Sequence, residues 1–484
     1  MKTPNRRRFF EESLIAAGIA ASAVRPGMAE AADEAETGPT SPNETLGHAV
    51  IGCRIRGRVH AREFAGKPGV RVTHLCDPDL ELAEELADQV TQQQGFRPQV
   101  ARDLREVLDD PSVDTVSIAA PNHWHALAAI WAMQAGKDVY VEKPVSHNIV
   151  EGRRMVQVAR KTGRICQGGT QNRSAGALRA AAEYIRAGKL GEVRLGRSII
   201  YGRRGSIGPH GKCEMPPKLD FNLWLGPGTD ESPTRPRLHY DWHWVWDTGN
   251  GELGNNNIHM VDICRWLMGL EGLGESVVSV GGRLGYEDAG ETPNTQIVVH
   301  RFEDAAVIQE VRGLRSDPFS DRFKSGYVIH GSQGIIAEGA VFDPEGNLVE
   351  KLSGRGDNHF ANFLAAVRSR RPQELNADIE EGHVSTALCH LGNISYRLGE
   401  TSSPEEIRGR WVDELAVPEA VETLDKLLAH LRDNGVDPAA TPLTSGPLLR
   451  IDSPGERFVG HPAADSLLGR AYRPPFELPG EREI

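Results

Sequence analysis

Lys143 and His259 are the side chains in this sequence whose types best suit proton transfer. A neutral histidine, with a pKa of about 6.5, accepts a proton from a hydroxyl group near neutral pH. A lysine ammonium stabilises the negative charge that then develops on the oxygen. His259 and Asp262 lie one turn apart at the start of a predicted helix, behind a polar run that contains Asn255. This pattern indicates chemistry at a hydroxyl group.

A second set of polar side chains lies where two predicted strands end. One apolar run covers residues 113–119, and the next covers residues 138–141. Predicted helices follow both runs, so the sequence predicts a parallel sheet, whose ligands bind at the carboxyl ends of the strands. For His123 and His125, packing in the interior is an equally good interpretation. The residues at these ends are Pro121, Asn122, His123, His125, Glu142, Lys143 and Pro144.

A glycine turn near the start of the chain has the pattern of a dinucleotide-binding unit. The predicted strand 46–51 leads into Gly52 and Gly57, a helical pattern follows, and the next strand ends at Asp77. In such a unit the helix start faces the pyrophosphate, and the terminal acid accepts hydrogen bonds from the adenosine ribose. A carboxylate there repels a 2′-phosphate, so the sequence favours NAD over NADP. The predicted contacts are Gly52, Arg54, Ile55, Arg56, Gly57 and Asp77.

Arg54 departs from this pattern, since it replaces the middle glycine of G-x-G-x-x-G. A side chain there crowds the pyrophosphate unless the backbone shifts or the guanidinium pairs with phosphate oxygens. The alternative is an α/β fold with an ordinary turn and a surface Asp77.

The second half of the chain predicts a half-exposed, mostly antiparallel sheet. Short segments rich in β-branched residues cover 194–201, 274–280, 296–302 and 305–311. Flat aromatic faces suit the C–H faces of a sugar ring. Core packing explains the aromatic residues equally well. The predicted substrate contacts are Tyr201, Trp242, His243 and Trp244.

The start of the chain predicts export. Arg6, Arg7 and Arg8 precede the apolar stretch 14–24, and small residues around Ala29 form a cleavage-site pattern. Paired arginines before Phe-Phe are typical of a twin-arginine signal, which exports folded proteins to the periplasm or cell envelope. An enzyme that keeps a tightly bound cytoplasmic cofactor needs that route. The alternative is an uncleaved amphipathic tail.

The amino-acid composition limits the kinds of partner that this chain can bind. A net charge of -12 over 484 residues argues against nucleic acid or an anionic membrane as the main partner. The six cysteines have neither metal-ligand nor disulfide-framework spacing, so we expect buried thiols and no metal.

The sequence resembles the Gfo/Idh/MocA family, which includes glucose–fructose oxidoreductase and inositol dehydrogenase. The carrying motifs are the glycine turn, Cys76-Asp77-Pro78, residues 121–125, Glu142-Lys143-Pro144, residues 254–262 and residues 389–396, so the resemblance covers about residues 46–400. It implies a Rossmann domain followed by an open-faced, mostly antiparallel sheet domain, with nicotinamide between them. Lys143 matches the family's catalytic lysine, and His259 matches the histidine of a D-x-x-x-H element whose first member is Asn255 here.

The predicted domain organisation follows from these patterns. It consists of a signal peptide (1–32), a linker (33–45), a Rossmann domain (46–168), a substrate domain with flanking helices (169–400) and a C-terminal helical segment with an extended arm (401–484). The resemblance implies a homo-oligomer formed through the open sheet face. The arm could pack on its own chain or on a neighbouring subunit.

The leading hypothesis is an exported NAD-dependent oxidoreductase acting on a sugar or polyol. His259 is the predicted base and Lys143 the stabilising cation, although burial of the lysine would allow the roles to be exchanged. Asn255 can orient His259, and Asp262 is either its charged partner or a carboxylate at the helix start. One alternative is a glycoside-modifying enzyme in which NAD oxidises the sugar transiently, with no net redox. Another is a silent sugar-binding protein, against which the intact Lys143 and His259 argue.

Overall fold

A computed structural model of the protein describes residues 45–321 and 323–480. The predicted signal peptide (1–32) and residues 33–44 of the predicted linker lie outside the described residues. The described chain contains two large sheets, one in each half, with helices packed against them.

The first sheet is formed by six parallel strands in the order β3-β2-β1-β4-β5-β6. This is the strand order of a Rossmann fold, so the predicted dinucleotide-binding architecture is confirmed. Its central strands are almost completely buried, as expected for a sheet covered on both faces. The strands are β1 Leu46–Ile51, β2 Val70–Cys76, β3 Gln99–Ala101, β4 Thr115–Ile118, β5 Asp138–Val141 and β6 Cys166–Gly168. The helices between them are α1 Ile55–Ala65, α2 Leu80–Gln94, α3 Leu104–Asp109, α4 His125–Gln134 and α5 Ile149–Thr162.

The second sheet is mostly antiparallel, as predicted, and only β7 and β10 pair in parallel among its described strands. The principal order is β14-β13-β12-β11-β7-β10-β9-β8-β16-β15, and β17 pairs with both β8 and β18. The strands are β7 Val193–Ile200, β8 Ser276–Gly282, β9 Thr295–Arg301, β10 Ala306–Arg312, β11 Gly326–Gly331, β12 Gly334–Ala337, β13 Ala340–Phe342, β14 Leu348–Lys351, β15 Glu400–Ser402, β16 Leu443–Ser445, β17 Leu449–Asp452 and β18 Arg457–Phe458.

The remaining helices flank this sheet or connect it to the first one. They are α6 Gly176–Arg186, α7 Phe221–Leu225, α8 Ile258–Met268, α9 His359–Ser369, α10 Ile379–Arg397, α11 Pro404–Glu414, α12 Pro418–Asp433 and α13 Pro462–Asp465. A π-helical turn, Leu253–Asn257, leads directly into α8. Helices α8 and α10 pack on one face of the sheet and carry residues into the space beside the first sheet.

The other face of the second sheet differs from the expectation that it is open. Val280, Val299 and Ile308 on this face belong to one apolar cluster with Trp411 of α11 and Leu427 of α12. Helix α12 carries leucines at helical spacing, which form one apolar face of the helix. This face packs against the sheet and is thereby shielded from water. The chain's own helices therefore cover this part of the sheet face, and the predicted homo-oligomer stays a prediction.

The C-terminal arm packs on its own chain. β16 and β17 join the second sheet, and Phe476 is buried against Trp124 and Trp131 of the Rossmann half. Arg470 forms a salt bridge of 2.5 Å with Asp247.

The six cysteines are free and buried, as the sequence predicted. Within residues 45–321 and 323–480, none of the helices combines the length and apolar character that crossing a bilayer requires. This part of the chain also holds no group of three or more His, Cys, Asp or Glu side chains arranged for a metal ion.

Candidate active site

The glycine turn between β1 and α1 has no space for a side chain at Gly52 or Gly57. Gly52 has a φ of 88°, and a Cβ there would lie 2.6 Å from the backbone of Ala119. A Cβ on Gly57 would lie 1.8 Å from the carbonyl oxygen of Gly52. Glycine is therefore required at both positions, because it allows the positive φ and the close approach of helix and strand. The first turn of α1, which begins at Ile55, carries no acidic residue, so the turn fits a diphosphate at a helix N-terminus.

Asp77 lies at the carboxyl end of β2, beside this turn. Its Oδ2 accepts a hydrogen bond of 2.8 Å from the backbone N–H of Cys53, and its Oδ1 accepts one of 2.9 Å from Asp79. Burial raises the pKa of Asp77 to about 6, although these hydrogen bonds and the charge of Arg54 oppose the rise. Each oxygen keeps a second lone pair for a ribose hydroxyl. Arg54 thus lies close enough to Asp77 to affect its charge.

Glu142 supports the loop that carries Lys143. Its Oε1 accepts hydrogen bonds from Arg56 Nη2 at 2.5 Å and from His60 Nε2 at 3.0 Å. Burial alone would raise the pKa of Glu142, but Arg56 and His60 hold it well below its usual value. Arg56 and Glu142, both predicted as cofactor contacts, thus pair with each other at the base of the glycine turn.

Lys143 follows Glu142 at the end of β5 and points towards the second half of the chain. Its Nζ donates a hydrogen bond to the backbone carbonyl of Asn255. The pKa of Lys143 is lowered to about 8, mainly by burial and also by the charges of Arg56 and Arg204, whereas Glu142 and Glu252 oppose the shift. The amine therefore gains or loses a proton close to neutral pH.

His259 lies in the first turn of α8 and is 9% exposed. Burial lowers the pKa of His259 to about 3, and the neighbouring charge of Lys143 contributes to this shift. Its Nδ1 has no hydrogen-bond partner among the described residues. His259 is therefore a neutral imidazole beside the lysine, and it is a weaker base than the sequence led us to expect.

The structure places two predicted partners of His259 in hydrogen bonds with other residues. Asp262 is completely buried and forms a salt bridge with Arg173, at 2.8 Å, and a hydrogen bond of 2.6 Å with Ser385. It forms no hydrogen bond with His259, although its charge acts to raise the pKa of that histidine. The side chain of Asn255 does not orient His259 either, because its Nδ2 donates to Glu252 Oε2 at 3.2 Å.

Part of the aromatic segment, residues 240–246, lies beside this site. His243 is close enough to Lys143 for the lysine charge to help lower its pKa to about 3, after burial, the main cause. Trp242 stacks on His243 with ring centroids 3.6 Å apart, and Trp244 is buried with the guanidinium of Arg204 5.3 Å above its ring. Tyr240 precedes these residues with a φ of 69°, a conformation that costs a non-glycine residue energy and recurs at functional sites.

Two of the predicted contacts, Tyr201 and His125, prove to be packing residues. Tyr201 lies in an apolar cluster of the second sheet, with Arg312 4.4 Å above its ring, which corrects its predicted substrate role. The Nε2 of His123 is bonded to the backbone oxygen of Trp224, whereas its buried Nδ1 has no hydrogen-bond partner among the described residues, so its ligand role stays a prediction. Both nitrogens of His125 face backbone oxygens, those of Pro144 at 2.7 Å and Ala120 at 2.8 Å, which leaves no ring nitrogen for a ligand.

The Pro121–Asn122 turn nevertheless links the two halves of the chain. Asn122 Nδ2 donates a hydrogen bond of 2.6 Å to Asn250, which in turn donates to the backbone oxygen of His147 at 3.0 Å. The turn therefore connects the end of β4 to the loop before α8 and stabilises the site.

Arg204 and Glu252 at this site were not predicted. Arg204 Nη2 and Glu252 Oε1 are 2.8 Å apart, and Arg204 also donates to the hydroxyl of Tyr240 at 3.2 Å. The sequence signal for Glu252 was its charge, just before the asparagine-rich run. Arg204 follows β7 in a loop with no recognisable motif, so only the folded structure reveals it.

Two family models match this chain. One, described as an oxidoreductase family with an NAD-binding Rossmann fold, matches residues 46–170, and the other, the C-terminal alpha/beta domain of an oxidoreductase family, matches residues 209–427.

Relatives of this chain include two dehydrogenases and a glycosyl hydrolase family protein. Levoglucosan dehydrogenase of Pseudarthrobacter phenanthrenivorans is 25% identical over 60% of this chain and 73% of its own length. scyllo-Inositol 2-dehydrogenase (NAD(+)) of Bacillus subtilis is 32% identical over 30% of this chain and 41% of its own length. A glycosyl hydrolase family 109 protein of Shewanella pealeana is 31% identical over 34% of this chain and 38% of its own length. The last two matches thus span less than half of those proteins.

Solved structures share the fold. WlbA dehydrogenase of Bordetella pertussis, in complex with NADH and UDP-GlcNAcA, has a TM-score of 0.54 at 20% identity, over 73% of this chain and 97% of its own. Levoglucosan dehydrogenase in complex with NADH has a TM-score of 0.51 at 18% identity, over 72% of this chain and 96% of its own.

Proposed function

The chain belongs to the Gfo/Idh/MocA oxidoreductase family, and from this premise we propose that it transfers a hydride between NAD and a hydroxyl or carbonyl group of a sugar or polyol. The observation that carries the proposal is Lys143, whose pKa is lowered to about 8 beside the neutral His259. An amine that changes charge near neutral pH can remove the hydroxyl proton during oxidation and return it during reduction.

When bound, NAD accepts or supplies the hydride at the substrate carbon. Gly52 and Gly57 would hold its diphosphate at the start of α1, and Asp77 would accept hydrogen bonds from its ribose, which favours NAD over NADP. The chain's own residues then carry the proton.

Lys143 is the proton acceptor in this proposal, and His259 is a neutral hydrogen-bonding partner for the substrate hydroxyl. This exchanges the roles that the sequence favoured. A base with a pKa of about 3 is a weak acceptor at neutral pH, whereas an amine with a pKa of about 8 is well matched to it. His243 and Trp242 would form the side of the site that contacts the carbohydrate.

The test is turnover by the purified protein with a panel of sugars and polyols. We expect a rise in the absorbance of reduced nicotinamide with at least one substrate. Lys143→Met should lower kcat by at least about 1000-fold, because it removes both the base and the charge. Lys218→Met is the matched control, since Lys218 pairs with Glu84 at the surface. Equal rates for the two variants would contradict the proposal.

A second candidate function is favoured by the similarity to glycosyl hydrolase family 109 proteins. In such a reaction the sugar is oxidised only transiently, so a glycoside is cleaved with no net change in the cofactor. Release of an aryl group from aryl glycosides, without accumulation of reduced nicotinamide, would favour it over the first proposal.

We also propose that residues 1–32 are a twin-arginine signal and that the folded protein reaches the periplasm with NAD tightly bound. Replacement of Arg6, Arg7 and Arg8 by lysine should retain the protein in the cytoplasm. Cell fractionation measures this, and an unchanged periplasmic fraction would contradict the proposal.

A further inference from the structure

The backbone that receives Lys143 is a π-helical turn. This turn, Leu253–Asn257, directly precedes α8, and the N–H of Ile258 reaches back to the carbonyl of Leu253. Its middle residue, Asn255, offers its backbone carbonyl to the Nζ of Lys143. π-Helical turns are rare and are frequent at functional sites because they redirect backbone groups from the α-helical pattern.

Glu252 lies immediately before this turn and is bonded to two of its residues. Its Oε2 accepts from Asn255 Nδ2 at 3.2 Å, and its Oε1 accepts from Asn256 Nδ2 at 2.5 Å. The side chain is 2% exposed, and Arg204 donates to both oxygens, at 2.8 and 3.1 Å. A buried carboxylate with this many hydrogen bonds is fixed in one orientation.

The same carboxylate links the turn to the aromatic side of the site. Arg204 lies above Trp244 and donates to the Tyr240 hydroxyl. Removal of the Glu252 charge would leave the 13%-exposed guanidinium of Arg204 without its carboxylate partner, close to Lys143.

We propose that Glu252 is a positioning residue: it holds the π-helical turn so that the Asn255 carbonyl binds Lys143, and it supplies the negative charge that the uncharged residue 255 does not. This inference rests on the proposed function for its effect on turnover. It assigns Glu252 no contact with substrate or cofactor.

The pKa of Lys143 provides a readout that a purely structural role would not move. Among the described residues, the charged groups around the amine include Glu142, Arg56, Glu252 and Arg204. The side chains of His125, His243, His259 and Cys389 also interact with its charge. Among them only Glu142 and Glu252 favour the ammonium. Loss of the Glu252 charge should therefore lower the pKa of Lys143.

The experiment compares Glu252→Gln with Glu310→Gln in the full-length protein. Glu310 is a matched control because it is a buried carboxylate paired with Arg312, at 2.6 Å, within the second sheet. The pKa of Lys143 is measured from the pH dependence of its reaction with an amine-specific acylating reagent, with the labelled residue located by peptide mass spectrometry. We expect the midpoint in Glu252→Gln to be lower by about one pH unit, and kcat to fall at least about tenfold.

An unchanged Lys143 midpoint in Glu252→Gln, or an equal shift in Glu310→Gln, would overturn the inference. If Glu252→Gln fails to fold, Glu252→Asp replaces it: the charge remains but its reach shortens, so kcat should fall at least about tenfold while the midpoint stays within about half a unit. An undiminished kcat in that variant would equally overturn the inference. The acylation measurement needs no turnover, so a wild-type protein inactive on every substrate would contradict the proposed function and leave this inference tested separately.

Discussion

The pH dependence of turnover follows from the lowered pKa of Lys143. At pH 7 an amine with a pKa of about 8 is roughly 9% neutral, whereas one at the ordinary 10.5 is only about 0.03% neutral. Burial and the two nearby arginines therefore increase the population of the basic form by roughly 300-fold. Oxidation needs the neutral amine, and reduction needs the ammonium.

The two directions should consequently have opposite profiles. The rate of oxidation should rise about tenfold per pH unit below pH 8 and level off above it, whereas the rate of reduction should be constant below pH 8 and fall above it. Initial rates of nicotinamide absorbance change between pH 5.5 and 10, in both directions, measure this.

Lys143→Arg is the decisive variant, because a guanidinium keeps its proton throughout this range. Its residual activity should lack the transition near pH 8. A transition near pH 8 that persists in Lys143→Arg, or one near pH 6 that is lost only in His259→Asn, would refute the assignment of the lysine as the proton acceptor.

Three further substitutions test the glycine turn, a buried ion pair and the helical cover of the second sheet. Gly57→Ala should weaken NAD binding at least about 100-fold in a calorimetric titration, because its Cβ would lie 1.8 Å from the backbone oxygen of Gly52; affinity within twofold of the wild type would contradict this. Asp262→Asn should lower the free energy of unfolding by about 1.5–3 kcal/mol in urea, since it leaves the buried Arg173 with Glu381, at 3.2 Å, as its carboxylate partner, without moving the pH transition near 8. Trp411→Ala should cost about 3–5 kcal/mol in the same assay, because Trp411 is 2% exposed beneath the second sheet; a loss below about 1 kcal/mol would show that α11 contributes little to covering that face.

The Rossmann half was predictable because its signals are local. One short stretch of sequence contains all of them: a buried strand, two glycines at positions with no space for a Cβ, and an acid at the end of β2. The position of Lys143 at the end of β5 followed in the same way, since parallel strands bring their carboxyl ends together.

The contacts that the sequence did not reveal lie between distant segments. Asp262 has the correct helical spacing from His259, but Arg173 and Ser385, from other helices, take its carboxylate. Asn255 contributes its backbone carbonyl rather than its side chain, and a π-helical turn is not visible in periodicity. The cover over the second sheet was also missed, because leucine spacing shows that a helix is amphipathic and not which surface it buries.

The most direct test of the central claim is a calorimetric titration of the purified protein, stripped of nucleotide, with NAD. We expect saturable binding of one NAD per chain, weaker affinity for NADP, and loss of binding in Gly57→Ala. A wild-type protein that binds no NAD, or binds it as well with alanine at position 57, would contradict the proposal that this glycine turn brings a dinucleotide to Lys143.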